Sequence, residues 1–239
     1  QIFGTMYMEY AYAKQGAKEV LGTGDQVSVD LLQSPGSEIG IKGEEALGGG
    51  ISAWFQCTST ADIKGNATNG FCSRNSAIGV KGSFGNVYAG NWDMPMKRTG
   101  GAARITSDTG IWGVGRMLYG DSSTFNSQGA GGQQAAFSRR ENASIFYDTP
   151  VISGFQGYVG VSTTGTSAAA LAATNNTSGS KPRMWSVAGT YTNGPLYATL
   201  AYAIHTNFSV GGTNAYSGTD TGWHAGAAYQ FGPVKVGAP

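Results

Sequence analysis

Residues 183–206, RMWSVAGTYTNGPLYATLAYAIHT, contain two segments in which apolar and polar side chains alternate, separated by a short turn at residues 193–195. A period of two residues predicts β-strands, because successive side chains of a strand point to opposite faces. The same alternation recurs along the chain, and we count ten such strands and the start of an eleventh at Val234. The sequence therefore predicts an all-β protein built from antiparallel strands.

The links between these strands alternate between short and long. The short links are residues 47–50, 83–86, 150–154, 193–195 and 232–233, and the long polar links are about 15–36, 58–72, 93–138, 165–182 and 206–221. Short turns at one side of the membrane and long loops at the other are typical of an outer-membrane β-barrel. A soluble β-sandwich has no physical reason to keep that order.

The composition agrees with a barrel in lipid and excludes two other classes. Charged residues are 12% of the 239 residues, about half the fraction of an ordinary soluble domain. No stretch approaches the roughly 18 apolar residues that a membrane-spanning helix requires, so a helical membrane protein is excluded. The formal net charge of +1 gives no indication of a nucleic-acid partner.

Aromatic residues fall near the ends of the predicted strands. Such residues either form the aromatic girdles at the two membrane interfaces or reflect the ordinary preference of aromatics for strands. The residues in question are Tyr10, Tyr12, Trp54, Trp92, Tyr147, Trp185, Tyr202, Trp223 and Tyr229.

The chain has two cysteines, Cys57 and Cys72, within a polar segment rich in Gly and Asn. Their spacing suits a disulfide that closes a loop, which would indicate an oxidising compartment such as the periplasm. The alternative is two unpaired thiols.

Three separated blocks resemble the general bacterial porins of the neisserial and β-proteobacterial type. They are SEIGIKGEEALGGGISAWFQ at 37–56, FCSRNSAIGVKGSFGNVYAGNW at 71–92 and RRENASIFYDTPVISGFQGYVG at 139–160. The resemblance implies a transmembrane antiparallel β-barrel of about sixteen strands in the bacterial outer membrane, assembled as a homotrimer among lipid and lipopolysaccharide. It also implies a water-filled channel for passive diffusion of small hydrophilic solutes and inorganic ions.

The resemblance also predicts the organisation of the chain. Residues 1–239 form one incomplete β-barrel domain, in which the longest segment without strand pattern, residues 93–138, folds into the lumen as the constriction loop. Porins of this type end on a strand with a terminal aromatic residue, whereas this chain ends in VGAP. An open sheet would leave unpaired edges in lipid, so we expect the natural protein to be longer.

The candidate functional residues are charges that face the lumen. Strand parity directs Glu38, Lys42, Glu44, Arg140 and Asp148 inward, and the resemblance adds Arg74 and Lys81 to a basic wall. Arg74 shares its parity with the apolar Ile78 and Val80, so it needs a bulge or a place in the turn to reach the lumen. Arg74 and Arg140 are predicted at the constriction; the alternative for every one of these residues is an ordinary hydrated wall position.

Two departures from the family pattern reduce the number of basic residues on this wall. Asn91 stands where relatives often have Arg, and some anion-selective members have Arg at the position of Glu38. The loop contributes both signs of charge, with Asp93, Asp108 and Asp121 against Lys97, Arg98, Arg104 and Arg116. We therefore expect weak anion selectivity.

Signals for catalysis or cofactor binding are sparse. His205 and His224 fall on predicted lumen faces, without the Cys or carboxylate neighbours of a metal site, and are expected to be hydrated wall residues. We predict a protein that is not an enzyme and has no cofactor and no metal. The competing hypotheses are a surface adhesin or structural barrel and a soluble all-β binding protein.

Overall fold

The computed structural model describes residues 1–14, 28–63, 65, 70–103, 137–163, 183–206 and 219–238. Within them the chain forms thirteen strands and one helix. In chain order these are β1 (Ile2–Thr5), β2 (Glu9–Lys14), β3 (Ser28–Gln33), β4 (Glu38–Gly48), β5 (Ile51–Thr60), β6 (Ser76–Gly82), β7 (Gly85–Asp93), α1 (Pro95–Ala103), β8 (Arg140–Asp148), β9 (Phe155–Ser162), β10 (Arg183–Asn193), β11 (Leu196–Thr206), β12 (Thr219–Phe231) and β13 (Val234–Ala238).

Eleven of the strands form one antiparallel sheet in the order β1-β4-β5-β6-β7-β8-β9-β10-β11-β12-β13. Within the described chain, β1 and β13 are the two edges of this sheet, and β2 pairs with β3 in a separate hairpin. The prediction of an antiparallel, all-β architecture is confirmed; the main sheet has eleven strands, and the separate hairpin brings the described chain to thirteen rather than the predicted ten or eleven.

The two additional strands arise because the first hairpin is interrupted. β1 pairs with β4 up to Thr5↔Glu38, and pairing resumes between β2 and β3 at Glu9↔Gln33. Across the gap, the Tyr7 N–H donates to Ser37 Oγ (2.8 Å), and the Tyr7 carbonyl accepts from Ser34 Oγ (3.0 Å). Serine side chains thus replace the missing ladder bonds and keep the two halves of the hairpin aligned.

The alternation of short and long links is confirmed between neighbours of the eleven-stranded sheet, but the predicted link at 15–36 contains β3 and is therefore not a loop throughout. In the eleven-stranded sheet, short turns follow β4, β6, β8, β10 and β12, and longer segments separate the other neighbouring strands of that sheet. Two of the turns, at Gly194 and Gly232, require φ values of +55°, which glycine adopts without a steric penalty.

The sheet has one apolar face and one mixed face. The outward face carries exposed apolar side chains, including Ile41, Phe55, Ile78, Val80, Val87, Ile145, Val187, Leu200, Trp185 and Trp223. Most of the predicted girdle residues are exposed on this side. Trp54 and Trp92 are the exceptions: both turn inward and pack on Tyr88, at ring centroid distances of 5.5 and 5.4 Å. Of the two interpretations, the aromatic girdle therefore does not apply to these two tryptophans.

Helix α1 packs on the inward face, against β10, β11 and β12. The Met96 N–H donates to Ser186 Oγ (3.0 Å), and the Tyr197 hydroxyl donates to the Thr99 carbonyl (2.8 Å). The buried core lies beneath the helix and consists of Tyr88, Met94, Met96, Phe146, Met184, Ala188, Ala201 and Ala203. Among the described residues, no helix has the length and apolar character needed to cross a bilayer.

Candidate functional site

The loop that follows β5 is closed by a disulfide between Cys57 and Cys72, whose Cα atoms are 4.8 Å apart. This separation is ordinary for a disulfide, and the predicted bridge is confirmed. The Cys72 N–H also donates to Ser59 Oγ (3.0 Å), so the far side of the loop is attached to β5 by both a covalent and a hydrogen bond.

Arg74 lies two residues before β6, in the turn rather than in the strand. Its parity conflict with Ile78 and Val80 therefore does not arise. Arg74 Nε donates to Glu38 Oε2 at 2.6 Å, so this cation is paired with a carboxylate of β4. Its carbonyl accepts a hydrogen bond from Asn91 Nδ2 at 2.9 Å. Asn91 thus supports the backbone next to Arg74.

Lys42, Glu44 and Lys81 lie together on the inward face of β4 and β6. Lys81 Nζ is 2.6 Å from Glu44 Oε2, and the two side chains remain 45% and 47% exposed. Lys42 Nζ lies 5.1 Å from the centre of the Phe3 ring and makes no ion pair within the described residues. These charges line a recess of about 430 Å³ together with Trp54 and Gln56.

Arg140 does not occupy the face that strand parity predicted. The register shifts between Gly90↔Ser144 and Trp92↔Glu141, and Ala143 has a φ of +48°. This bulge inserts one residue into β8 and reverses the parity of the residues before it. Glu141 consequently lies opposite the inward Trp92, whereas Arg140 lies opposite Asp93. The prediction that Arg140 and Asp148 share a face was wrong.

The charges around Arg140 form a compact group where β7 leads into α1. Arg140 Nε donates to Asn75 Oδ1 (2.6 Å), and one of its terminal nitrogens is 3.1 Å from Asp93 Oδ1. Lys97, in the first turn of α1, also reaches Asp93 Oδ1 at 3.0 Å. One carboxylate is therefore shared by two cations.

Asp148 faces inward, as predicted, and receives a partner from α1. Arg98 binds Asp148 Oδ1 at 2.8 Å, donates to the Tyr88 hydroxyl, and places its guanidinium carbon 4.7 Å from the Tyr158 ring centre. Burial alone would lower the pKa of Arg98, but the interactions with Tyr88 and Asp148 raise the pKa above its ordinary value. The helix is thus held to β7, β8 and β9 by one charged side chain.

A second buried ion pair lies just before the bulge. Arg139 Nε is 2.6 Å from Glu141 Oε1, and the Glu141 side chain is fully buried. Nearby, the Phe137 ring stacks on His205 with centroids 4.4 Å apart. His205 and His224 are both buried, so the expectation of hydrated wall histidines was wrong.

Several of these contacts have no signal in the sequence. The sequence predicts Arg98 only as a loop charge and not as an anchor, and nothing in the run Arg139–Arg140–Glu141 indicates which arginine pairs with which carboxylate. Asp108 and Asp121, predicted on the loop, lie outside the described residues, as do Arg104 and Arg116. Within the described part of the chain, no three His, Cys, Asp or Glu side chains group to hold a metal ion.

Comparison with known proteins agrees with this architecture. The family model described as Gram-negative porin matches residues 1–239. The major outer membrane protein P.IB of Neisseria gonorrhoeae is 32% identical over 126 residues, which cover 52% of this chain and 31% of that protein. The chain thus matches about a third of the length of this curated relative.

Two solved structures have the same fold. The anion-selective porin from Comamonas acidovorans superposes with a TM-score of 0.73 at 27% identity, covering 99% of this chain and 65% of that one. OmpT, an outer membrane protein of Vibrio cholerae in its trimer form, gives a TM-score of 0.60 at 14% identity, covering 99% and 63% of the two chains. This chain belongs to the Gram-negative porin family and is an outer-membrane β-barrel protein.

Proposed function

We propose that the protein forms a water-filled channel through which small hydrophilic solutes and inorganic ions diffuse passively. The observation that carries this proposal is the contrast between the two faces of the sheet. The outward face is apolar and suited to lipid, whereas Lys81 and Glu44 on the inward face remain nearly half exposed to water. Charges on such a wall act on a passing solute through their field.

We further propose that residues 93–138 narrow this channel. The described beginning of the segment, including α1, packs on the inward face of β10–β12, and Arg98 ties it to β8 through Asp148. A helix in this position reduces the open cross-section of the lumen. The exposed charges on the inward face of β4 and β6 would then line the path of a solute.

The charges also support a weak preference for anions. Arg74 is paired with Glu38, Lys81 with Glu44 and Arg98 with Asp148, so these cations are largely compensated. Lys42, on the inward face of β4, has no ion pair within the described chain, which leaves a small local excess of positive charge there. The printed description of the Comamonas protein as anion-selective points in the same direction.

Planar-bilayer recording of the purified protein tests these proposals. We expect stepwise conductance, and in a KCl gradient a small reversal potential of the sign that indicates anion preference. Cation selectivity would overturn the selectivity proposal. Absence of conductance in correctly folded protein would overturn the channel proposal and would favour a surface adhesin. The homotrimer, proposed because of the family, is checked by native mass spectrometry.

A further inference from the structure

The link between β5 and β6 contains a short segment whose contacts extend well beyond its own loop. We propose that Asn75 is a positioning residue that fixes the start of the α1 segment, and that the Cys57–Cys72 disulfide holds Asn75 in place. The disulfide-closed outward loop would then determine the geometry of the constriction. This inference rests on the proposed channel function only in its last step.

Residues 72–75, which we term the strap, are attached to both neighbouring strands. On the β5 side, the Cys72 N–H donates to Ser59 Oγ (3.0 Å) and the Arg74 N–H donates to the Thr58 carbonyl (2.8 Å). On the β7 side, Asn91 Nδ2 donates to the carbonyls of Ser73 (3.1 Å) and Arg74 (2.9 Å). The disulfide adds a covalent link to β5 at the beginning of the strap.

The backbone of the strap begins in an unfavourable conformation. Cys72 has a φ of +57°, in the left-handed region that non-glycine residues rarely adopt. Such a conformation persists when the surrounding contacts determine it. The disulfide and the hydrogen bond to Ser59 supply those contacts, so removing the disulfide should allow Cys72 to relax and the following residues to shift.

The Asn75 side chain hydrogen-bonds to Asp93, two residues before α1 begins, and to Arg140 of β8. Asn75 Oδ1 accepts from the Asp93 N–H (3.1 Å) and from Arg140 Nε (2.6 Å), while Nδ2 donates to Asp93 Oδ2 (3.1 Å). Asp93 ends β7 and binds Lys97 of α1. A single amide therefore connects the end of β7 to the start of β8, and it reaches the first turn of the helix through Asp93.

The chemistry of this position is specific to an amide. Alanine would remove all three hydrogen bonds and leave Arg140 and the Asp93 N–H without this partner. Aspartate would keep the acceptor for Arg140 and the Asp93 N–H, but would place a second carboxylate where Nδ2 now donates to Asp93 Oδ2. Repulsion between two carboxylates at hydrogen-bond distance disfavours that arrangement. Both substitutions should therefore loosen the junction for different reasons.

The first experiment measures the junction itself, independently of conduction. Hydrogen exchange of the Asp93 and Met94 amides is followed in the folded wild-type protein, in Asn75→Ala and Asn75→Asp, and in wild type reduced with a phosphine. The Asp93 amide donates to Asn75 and the Met94 amide to the Arg139 carbonyl (3.0 Å), so we expect about tenfold faster exchange at the first and a smaller increase at the second.

The matched control is Asn193→Ala, which makes the same chemical change at the end of β10, where Asn193 Nδ2 donates to the Tyr191 hydroxyl. It should leave exchange at Asp93 and Met94 unchanged. Unchanged exchange in Asn75→Ala would overturn the role of Asn75. Unchanged exchange after complete reduction would overturn the role of the disulfide, and a Cys57→Ala/Cys72→Ala variant checks that result without reductant.

The second experiment records single channels of the same proteins. We expect an altered conductance and roughly twofold or greater open-channel noise in Asn75→Ala and in reduced wild type, with Asn193→Ala like wild type. Faster exchange with unchanged single-channel currents would overturn the link to the constriction. If wild type itself did not conduct, the channel proposal would fail, while the exchange data would still decide whether Asn75 positions the junction.

Discussion

The inward faces of β4–β6 and of β9–β12 follow the same two-residue alternation but meet different surroundings. On β4 and β6 the inward residues include Lys42, Glu44 and Lys81, which are hydrated. Beneath α1 the inward residues are small or flexible, such as Met184, Ala188, Ala201 and Ala203. The comparison shows that inward parity in a barrel does not by itself mean contact with water, because an inward-folded segment turns part of the wall into a protein core.

The largest expected difference between the two regions is in how much an ion pair contributes to the free energy of unfolding. Arg98 and Asp148 are only 19% and 15% exposed, so Arg98→Met would leave a partly buried carboxylate without its cation. We expect a loss of about 3 kcal/mol in the free energy of unfolding. The matched change at the hydrated wall, Lys81→Met, leaves an exposed Glu44, for which we expect no resolvable loss. Urea unfolding followed by tryptophan fluorescence measures both.

The same measurement with Asp148→Asn completes the comparison. If Arg98 acts through its pairing with Asp148, adding Asp148→Asn to Arg98→Met should recover part of the lost stability, because no unpaired charge remains. Equal losses in the single and double variants would contradict this explanation. Lys81→Met as destabilising as Arg98→Met would contradict the distinction between the two walls.

The next largest effect concerns packing. Ala203 is buried in the core under α1, so Ala203→Leu must displace the helix or distort the wall. Overpacking of this kind costs about 1–3 kcal/mol. Ala46 on β4 pairs with Ser52 and is exposed, so Ala46→Leu should change stability by less than about 0.5 kcal/mol. Thermal unfolding of the two variants tests the comparison, and a tolerated leucine at position 203 would argue against a tightly packed helix.

The features that could be predicted from the sequence are those that depend on residues close together in the chain. Alternation and turn residues are local, so the strands, the order of short and long links and the inward direction of Glu44 and Asp148 were predictable. The Cys57–Cys72 disulfide was also open to prediction, because its two cysteines flank one loop.

The failures have non-local causes. The bulge at Ala143 moves Arg140 off its predicted face, and no residue pattern in β8 signals that bulge. Trp54 and Trp92 resemble girdle residues in sequence, yet the core around Tyr88 draws them inward. His205 is buried because Phe137, distant in sequence, covers it. The alternation of side chains along a strand carries no information about a bulge or about which distant side chain covers a residue.

The smallest expected effect is on ion selectivity. It tests whether the ion pair between Arg74 and Glu38 reduces the positive electrostatic field that an ion in the channel experiences. Glu38 compensates Arg74 at 2.6 Å, so Glu38→Gln should leave that cation unbalanced and strengthen the anion preference. Glu45→Gln removes the same charge from the same strand, but its parity places it on the outward face, opposite Ala53. We expect a measurable change in the KCl reversal potential for the first variant and little for the second. The difference should shrink as salt rises, because the Debye length falls to about 3 Å at 1 M. Equal shifts in the two variants would mean that net charge, rather than the inward position of Glu38, controls selectivity.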